Sequence, residues 1–198
     1  MYFYEEKTLN DFIEKIKRVY FDNNKEKTWD HVESVAKTAV RLAEIYNLDT
    51  EKIRLSALLH DISAIISPQK MYDMAVERGM EIDPAEEKYK FILHQRISKI
   101  MAHDDFGIVD EDVLDAIECH TTLKRNACAY DKVIFIADKI SWDQSGVPPY
   151  YDVVVSEADK SLDKACYNFI KYQFDNNLLL MPHKWIIEAY DDLKSKIK

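Results

Sequence analysis

Apolar side chains recur at steps of three and four residues through most of this chain, which is the period of an amphipathic α-helix. The stretch 8–22 shows this pattern, since its apolar residues fall on one helical stripe. The stretch 28–46 repeats it, with Asn47 placed to end the helix. The patterns predict an all-α bundle of about eight or nine helices. They cover residues 8–22, 28–46, 50–63, 68–77, 84–104, 111–120, 130–140, 154–174 and 182–196.

Capping residues mark several of the predicted helix ends. Thr50 and Asp110 stand at predicted N-termini, where a side-chain oxygen can accept a backbone N–H. Residues 141–151 contain glycine and two prolines and are expected to form a loop. The run 151–155, Tyr-Asp-Val-Val-Val, has the composition of a strand. A single short strand needs a partner, and we find no second run for it, so a helical fold is favoured.

Composition agrees with one helical domain. The chain has 198 residues, of which 47% are hydrophobic and 32% are charged, as in ordinary globular proteins. Only 3 glycines and 5 prolines occur, too few for the many turns of a sandwich or barrel.

The net charge limits the expected binding partners, and the cysteine content indicates the cellular compartment. The net charge of −9 argues against binding nucleic acid or anionic membranes, which require a basic face. No apolar stretch approaches the roughly 20 residues needed to span a membrane. The 3 cysteines show no paired spacing, which is typical of a reducing compartment. We therefore expect a cytoplasmic protein.

The dipeptide His60-Asp61 is the first sign of specific chemistry. It follows an apolar run and offers one imidazole and two carboxylate oxygens almost at one point. Because a carboxylate has two oxygens, Asp61 can bridge two metal ions, whereas His60 binds only one. Further candidate ligands near apolar helical stretches are His31, His94, His120 and Asp138.

These candidates lie next to segments that should be buried. Residues 133–137 are apolar nearly all round, so the helix 130–140 should be central. A lone carboxylate at Asp138 would carry a large burial penalty, which a metal or a paired charge removes. A histidine on an apolar face is more often an ordinary packed residue, and we assign His103 and His183 to that class. The joint pattern predicts a two-metal site that hydrolyses a phosphate ester or anhydride.

This order of ligand residues resembles the HD-domain superfamily of metal-dependent phosphohydrolases. That all-helical family carries a histidine, an HD dipeptide and a distal aspartate. Over about residues 25–190 the chain is similar to the YqeK-like subset, which hydrolyses diadenosine tetraphosphate symmetrically. The matching segments are 58–61 (Leu-Leu-His-Asp), 119–122 (Cys-His-Thr-Thr) and 135–139 (Phe-Ile-Ala-Asp-Lys).

The resemblance implies a division of the ligands between two metals, with Asp61 as the bridge. Asp61 and His60 would be the catalytic residues. Iron is the metal that the family suggests, while nitrogen and oxygen ligands leave Mn, Co, Zn and Ni open. The first metal would be bound by His31, His60, Asp61 and Asp138, and the second by Asp61, His94 and His120.

The same resemblance implies a site for the nucleotide and an organisation of the chain. The family's nucleotide contacts fall just after the third histidine and in the His-Thr-Thr segment. The chain is expected to be a single HD-type domain, 1–198, with an HD core at about 25–145 and C-terminal helices at about 152–196. The implied substrate contacts are Gln95, Arg96, Ile97 and Thr121.

The chain departs from the family pattern at three places. Ala64 stands where the family usually has a lysine, three residues after the HD dipeptide. Thr28 replaces an arginine before the first histidine, and Ser141-Trp142 replaces a Glu-Pro pair. The lost lysine would neutralise phosphate charge, so another cation is expected to take its place. Candidate replacement cations are Lys124, Arg125, Arg96 and Lys139.

Together these features predict an enzyme that cleaves diadenosine tetraphosphate into two ADP through hydroxide bridging two metals. Its expected partner is a small nucleotide, and a homodimer is left open. One alternative is another HD activity, such as a nucleotidase, a deoxynucleoside triphosphate hydrolase or a cyclic-nucleotide phosphodiesterase. The others are an oxygen-activating di-iron protein and a metal-containing nucleotide-binding module with little turnover.

Overall fold

The structure is a computed structural model that describes residues 8–141 and 146–197. Within those ranges it is built from α-helices and two short 3-10 turns, so the all-α prediction is confirmed. The turns are Ile62–Ile65 and Lys90–Leu93. The helices are α1 (Leu9–Asp22), α2 (Glu26–Ile45), α3 (Thr50–Leu59), α4 (Pro68–Glu77), α5 (Pro84–Lys88), α6 (His94–Asp104), α7 (Glu111–Glu118), α8 (Ala129–Ile140), α9 (Tyr151–Ala158), α10 (Leu162–Asp175) and α11 (Lys184–Lys196).

The helix predicted over 84–104 is divided into α5, a 3-10 turn and α6. Tyr89 leaves the helical conformation, with φ −121° and ψ 75°. A capping box stands at the N-terminus of the short helix α5. The Asp83 side chain accepts a backbone N–H of the first turn, and the Glu86 side chain accepts the backbone N–H of Asp83. The break makes His94 the first residue of a new helix, and its direction is set separately from that of α5.

The helix predicted over 154–174 is divided into α9 and α10. Ser161 has an extended backbone, and its side chain accepts the backbone N–H of Lys164, which caps α10. The run 151–155 lies inside α9, so the strand alternative is wrong. The predicted loop loses its last residue to α9, and residues 142–145, including Trp142, lie outside the described residues.

Two predicted helices end earlier than their sequence pattern indicates. α3 stops at Leu59, before the HD dipeptide, and α7 stops at Glu118. The N-cap of α3 is Asp49 rather than Thr50, since the Asp49 carboxylate accepts the backbone N–H groups of the first turn. The early ends leave free carbonyl groups in the last turns, and histidine side chains use these carbonyls, as described below.

One apolar core runs from Phe12 in α1 to Leu193 in α11. Helix α8 lies at its centre, with residues 133–137 fully buried, which confirms the prediction of a central helix. Helix α2 packs against α3 and α8, and α10 also packs against α8. Fully burying a side chain such as Phe135 contributes about 1.5–3 kcal/mol. This packing brings α2, α3 and α8 together at one point.

The organisation into an HD core and C-terminal helices stays a prediction. None of the helices in residues 8–141 and 146–197 combines the length and the apolar character needed to cross a membrane.

Candidate metal centre

Six predicted ligands approach one another at the junction of α2, α3, α6, α7 and α8. We call these six side chains the histidine–aspartate cluster. Two of them project from helix interiors, and the other four stand at helix ends. The cluster consists of His31 in α2, His60 and Asp61 after α3, His94 at the start of α6, His120 after α7 and Asp138 in α8.

One part of the cluster joins α2, α3 and α8. The Nε2 atom of His31 lies 3.1 Å from Asp138 Oδ1, and His60 Nε2 lies 3.8 Å from the same oxygen. One ligand atom from each of these three residues lies within 4.8 Å of the others. The second Asp138 oxygen accepts a hydrogen bond from Lys139 Nζ at 2.5 Å. Asp138 therefore presents a single oxygen to the histidines.

The other part of the cluster surrounds Asp61. Its Oδ1 atom lies 3.5 Å from His94 Nε2 and 3.5 Å from His120 Nε2. Its Oδ2 atom lies 3.7 Å from His60 Nε2, and one ligand atom each from His60, Asp61 and His120 lies within 4.8 Å of the others. The two oxygens of Asp61 thus face different histidines, which is the arrangement that a bridging carboxylate requires.

Three histidines of the cluster are oriented by the same local contact. In each, Nδ1 lies within hydrogen-bond distance of the backbone carbonyl three residues earlier. The distances are 2.7 Å for His60 to Ala57, 2.6 Å for His94 to Phe91 and 2.8 Å for His120 to Ile117. A carbonyl only accepts, so Nδ1 carries the proton and Nε2 presents its lone pair to the cluster. Histidines that bind metals usually show this arrangement.

The convergence of lone pairs is the strongest sign that these residues fit metal ions. The Nε2 atoms of His94 and His120 are 2.9 Å apart, and neither nitrogen carries a proton to place between them. The Nε2 atom of His60 is buried and has no hydrogen-bond partner among the described residues. Ligands about 2.1 Å from one metal and at right angles are about 3.0 Å apart. The distance between the two Nε2 atoms therefore matches the spacing of two ligands of one metal ion, and a cation there would remove the repulsion between their lone pairs.

The protonation states also suit metal binding. Burial opposes ionisation of Asp61, but attraction to the imidazolium forms of the neighbouring histidines, His60 first, outweighs it and holds the pKa of its carboxyl well below the usual range. Burial likewise acts against Asp138, and the ammonium of Lys139 reverses it, so the pKa of Asp138 is also lowered. Burial lowers the pKa of His120 to about 4. The carboxylates are thus charged and His120 is neutral near pH 7.

The four predicted substrate contacts occupy different environments. The Thr121 hydroxyl lies 3.0 Å from His94 Nε2, beside the cluster. Gln95 is fully buried, and its Oε1 accepts the backbone N–H groups of Thr121 and Thr122, so it fixes that segment. Ile97 is fully buried in the apolar core. Arg96 points toward α5, as described next. Contact with a nucleotide stays a prediction for all four.

Arg96 belongs to a second buried group, which we call the arginine cluster: Asp83, Glu86, Arg96 and His183. Arg96 Nη1 donates to Glu86 Oε2 at 2.8 Å, and Glu86 is fully buried. The guanidinium also lies over the ring of Trp185, 5.7 Å from its centre. These contacts attach α11 to α5 and α6.

Two residues beside the histidine–aspartate cluster were missed by the sequence interpretation. Lys25 and Phe91 line an open cleft of about 550 Å³, which we call the side cleft. Its lining also includes Asp61, Ala64 and His94. Phe91 is 57% exposed there, although it stands in an apolar triplet that predicted burial. A lysine at the start of α2, where a capping side chain is usual, was the available signal for Lys25.

Comparison with known proteins identifies one family. The family model "HD domain" matches residues 28–143. The chain is similar to a symmetrical bis(5'-nucleosyl)-tetraphosphatase of Staphylococcus aureus, with 36% identity over 161 residues, 80% of this chain and 81% of the relative. A Bacillus subtilis protein of the same name is 27% identical over 166 residues, 80% of this chain and 89% of that protein.

A solved structure supports the same conclusion. It is the crystal structure of a predicted HD superfamily hydrolase involved in NAD metabolism from Clostridium acetobutylicum. It matches with a TM-score of 0.85 and 34% identity, covering 92% of this chain and 97% of that one. The fold, the relatives and the converging ligands agree, and the chain belongs to the HD-domain family of metal-dependent phosphohydrolases.

Proposed function

We propose that this chain hydrolyses diadenosine tetraphosphate symmetrically and releases two molecules of ADP. The observation that carries the proposal is the position of Asp61, whose Oδ2 faces His60 while Oδ1 faces His94 and His120. A carboxylate placed in this way can bridge two metals, and paired metals suit displacement at phosphorus. The names of the bacterial relatives supply the substrate class.

In this proposal the six side chains of the cluster bind two metal ions. Asp61 would be shared by the two ions. Iron is the metal we propose, and Mn, Co, Zn or Ni also suits such nitrogen and oxygen donors. The first ion would be held by His31, His60, Asp61 and Asp138, and the second by Asp61, His94 and His120.

The bound metals would lower the pKa of a bridging water toward neutrality, which makes hydroxide available near pH 7. The protein's own contribution is to hold the ligands in place and keep their protonation fixed. The carbonyl of Ala57 keeps the proton of His60 on Nδ1, and the ammonium of Lys139 keeps Asp138 ionised.

The bond changes in the proposed reaction balance with water as the only co-reactant. The oxygen of one water forms a bond to one of the two central phosphorus atoms. The bond from that phosphorus to the central bridging oxygen breaks, and that oxygen leaves with the second ADP. The two protons of the water are released to solvent or taken up by the product phosphates. The Thr121 hydroxyl lies 3.0 Å from His94 Nε2, where it would contact the phosphates.

Metal analysis followed by product identification tests the proposal. We expect about two metal ions per chain and ADP as the only nucleotide product from diadenosine tetraphosphate. A panel of nucleoside monophosphates, deoxynucleoside triphosphates and cyclic nucleotides, assayed with Fe, Mn and Co, provides the comparison. Formation of AMP with ATP contradicts symmetrical cleavage. Hydrolysis of monophosphates while the dinucleotide stays intact would assign a nucleotidase instead.

A cytoplasmic location completes the proposal, and the choice between monomer and homodimer is left open. The 3 cysteines are all free thiols, which supports a reducing compartment. Cell fractionation tests the location, and light scattering of the purified protein decides between monomer and homodimer.

A further inference from the structure

The side cleft has the size and lining that a nucleotide requires. Its volume of about 550 Å³ lies within the usual range for small-molecule sites. One wall is apolar and carries the exposed ring of Phe91, which offers a face to a nucleobase. Asp61 and His94 of the histidine–aspartate cluster form part of the lining, so a ligand in the cleft reaches the proposed metals.

The cations considered from the sequence cannot serve this cleft, because three of them are already paired. Lys139 donates to Asp138, and Arg96 donates to Glu86. Lys124 pairs with Asp115 at 2.8 Å, and the exposed Arg125 is absent from the lining. The position of the family lysine is occupied by Ala64, which does line the cleft but carries no charge.

Lys25 is the cation that lines the side cleft. Its side chain is partly buried, and it has no carboxylate partner among the described residues. It also has no capping role, since its side chain makes no hydrogen bond to the first turn of α2. A lysine at this end of a helix is opposed by the helix dipole. Local helix stability therefore does not account for Lys25, whereas an anionic ligand in the cleft would.

The backbone at Lys25 is held in place relative to the cluster. The Lys25 N–H donates to the carbonyl of Tyr20 at 2.9 Å, and the Lys25 carbonyl accepts the N–H of Trp29 at 3.0 Å. The buried hydroxyl of Tyr20 donates to the carbonyl of Leu58 at 3.0 Å, two residues before His60. The turn between α1 and α2 is thus fixed to the end of α3, and Lys25 stays on the cleft.

We infer that Lys25 binds the phosphate groups of the nucleotide and takes the role that Ala64 cannot perform. This inference rests on the proposed function, because it assumes that a nucleotide polyphosphate occupies the side cleft. Lys25 is a substrate-binding residue in this account and holds no metal.

Steady-state kinetics with diadenosine tetraphosphate provide the first test. We expect Lys25→Ala to raise KM about tenfold, the usual effect of losing one hydrogen bond to a charged group. The change in kcat should be smaller, and the metal content should stay that of the wild type. Lys25→Arg, and Lys25→Ala combined with Ala64→Lys, should recover most of the lost affinity. The matched control is Lys27→Ala, an exposed lysine two residues away that does not line the cleft.

Calorimetry with ADP separates this inference from the proposed function. Metal-loaded wild type should bind ADP, and Lys25→Ala should bind it about tenfold more weakly, even if the wild type leaves diadenosine tetraphosphate intact. Lack of hydrolysis then counts against the proposed function alone. Three results overturn the role of Lys25: no ADP binding by the wild type, unchanged binding in Lys25→Ala, or an equal loss in Lys27→Ala.

Discussion

The histidine–aspartate cluster and the arginine cluster both bury histidine against carboxylates, but three histidines of the first carry the proton on Nδ1 and the histidine of the second carries it on Nε2. In the arginine cluster, His183 Nδ1 accepts the backbone N–H of Trp185 at 3.1 Å, so the proton lies on Nε2. That Nε2 is 3.5 Å from Glu86 Oε1, to which it presents a positive hydrogen. In the histidine–aspartate cluster, His60 and His120 donate from Nδ1 and present lone pairs instead.

The two clusters also differ in the side chain that supplies positive charge. Arg96 supplies it inside the arginine cluster, where Glu86 is sealed from solvent. Lys139 reaches only one oxygen of Asp138 in the histidine–aspartate cluster, and Asp61 has histidines on both sides. Glu86 thus has a cationic partner within the fold, whereas the ion-pair partners of Asp61 among the described residues are histidines. The nitrogen that bears the proton therefore distinguishes His183 from His60, His94 and His120. His31 resembles His183, because its Nε2 faces the Asp138 carboxylate.

The largest expected effect comes from Asp61→Ala. Because this carboxylate faces both halves of its cluster, its loss should reduce hydrolysis by about a thousandfold or more and lower the metal content. Activity assays and metal analysis measure both. The control is His103→Ala, which removes an exposed histidine paired with Asp104 and should change neither. Normal metal content in the Asp61 variant would contradict the proposed bridge.

The arginine cluster predicts a loss of stability instead. Glu86→Gln leaves the buried guanidinium of Arg96 without its counter-charge, which should cost about 3 kcal/mol of unfolding free energy. Metal content per folded molecule should not change. Denaturant unfolding measures the loss, and Glu81→Gln, in an exposed pair with Lys184, should leave the midpoint in place. A metal-depleted but stable Glu86 variant would show that the comparison is wrong.

Gln95→Leu tests how the histidine–aspartate cluster is supported. The change removes the acceptor for two backbone N–H groups in the segment after His120. We expect metal affinity or activity to fall about ten- to hundredfold, as for other residues that position metal ligands. Metal titration of the variant measures the change. The surface variant Gln69→Leu, which loses only a contact to Asp73, should match the wild type.

The smallest effect is the dependence of stability on pH. Burial opposes ionisation of Glu86, but its contacts with His183, the Asp83 backbone and Arg96 outweigh it and lower the pKa of the carboxyl below its ordinary value of 4.5. A lowered pKa in the folded state stabilises the protein above the ordinary value, and this contribution is lost as the pH falls below it. Urea unfolding at stepwise lower pH should show a steeper decline in the wild type than in Glu86→Gln. Parallel curves for the two proteins would contradict this assignment.

The sequence was sufficient to predict the helical fold and to name six side chains that the structure brings together. The fold follows from local periodicity, and the central helix α8 carries that signal throughout. His31 and Asp138 are 107 positions apart in the chain. Their proximity was predicted from the resemblance to the family and not from local periodicity.

Adjacency in the sequence does not show which way a side chain points. This limited the prediction of the residues that contact the substrate. Gln95, Arg96 and Ile97 follow one metal-ligand candidate directly, yet they face a backbone segment, a carboxylate and the apolar core. Successive helical residues are turned by about 100°, so proximity to His94 along the chain places only some of them near the site. Lys25 reaches the side cleft through the turn between α1 and α2, which helical periodicity does not describe.

The rings of His60, His94 and His120 are each oriented by a contact with the carbonyl three residues earlier. The orientation of each ring therefore depends on a segment of only four residues. Each ring is therefore aimed by its own segment, and folding has only to bring the finished segments together. Damage to one such segment should leave the other two rings correctly turned. The same four-residue unit can be transferred as a whole when a metal-binding histidine is placed at the end of a helix in a designed protein.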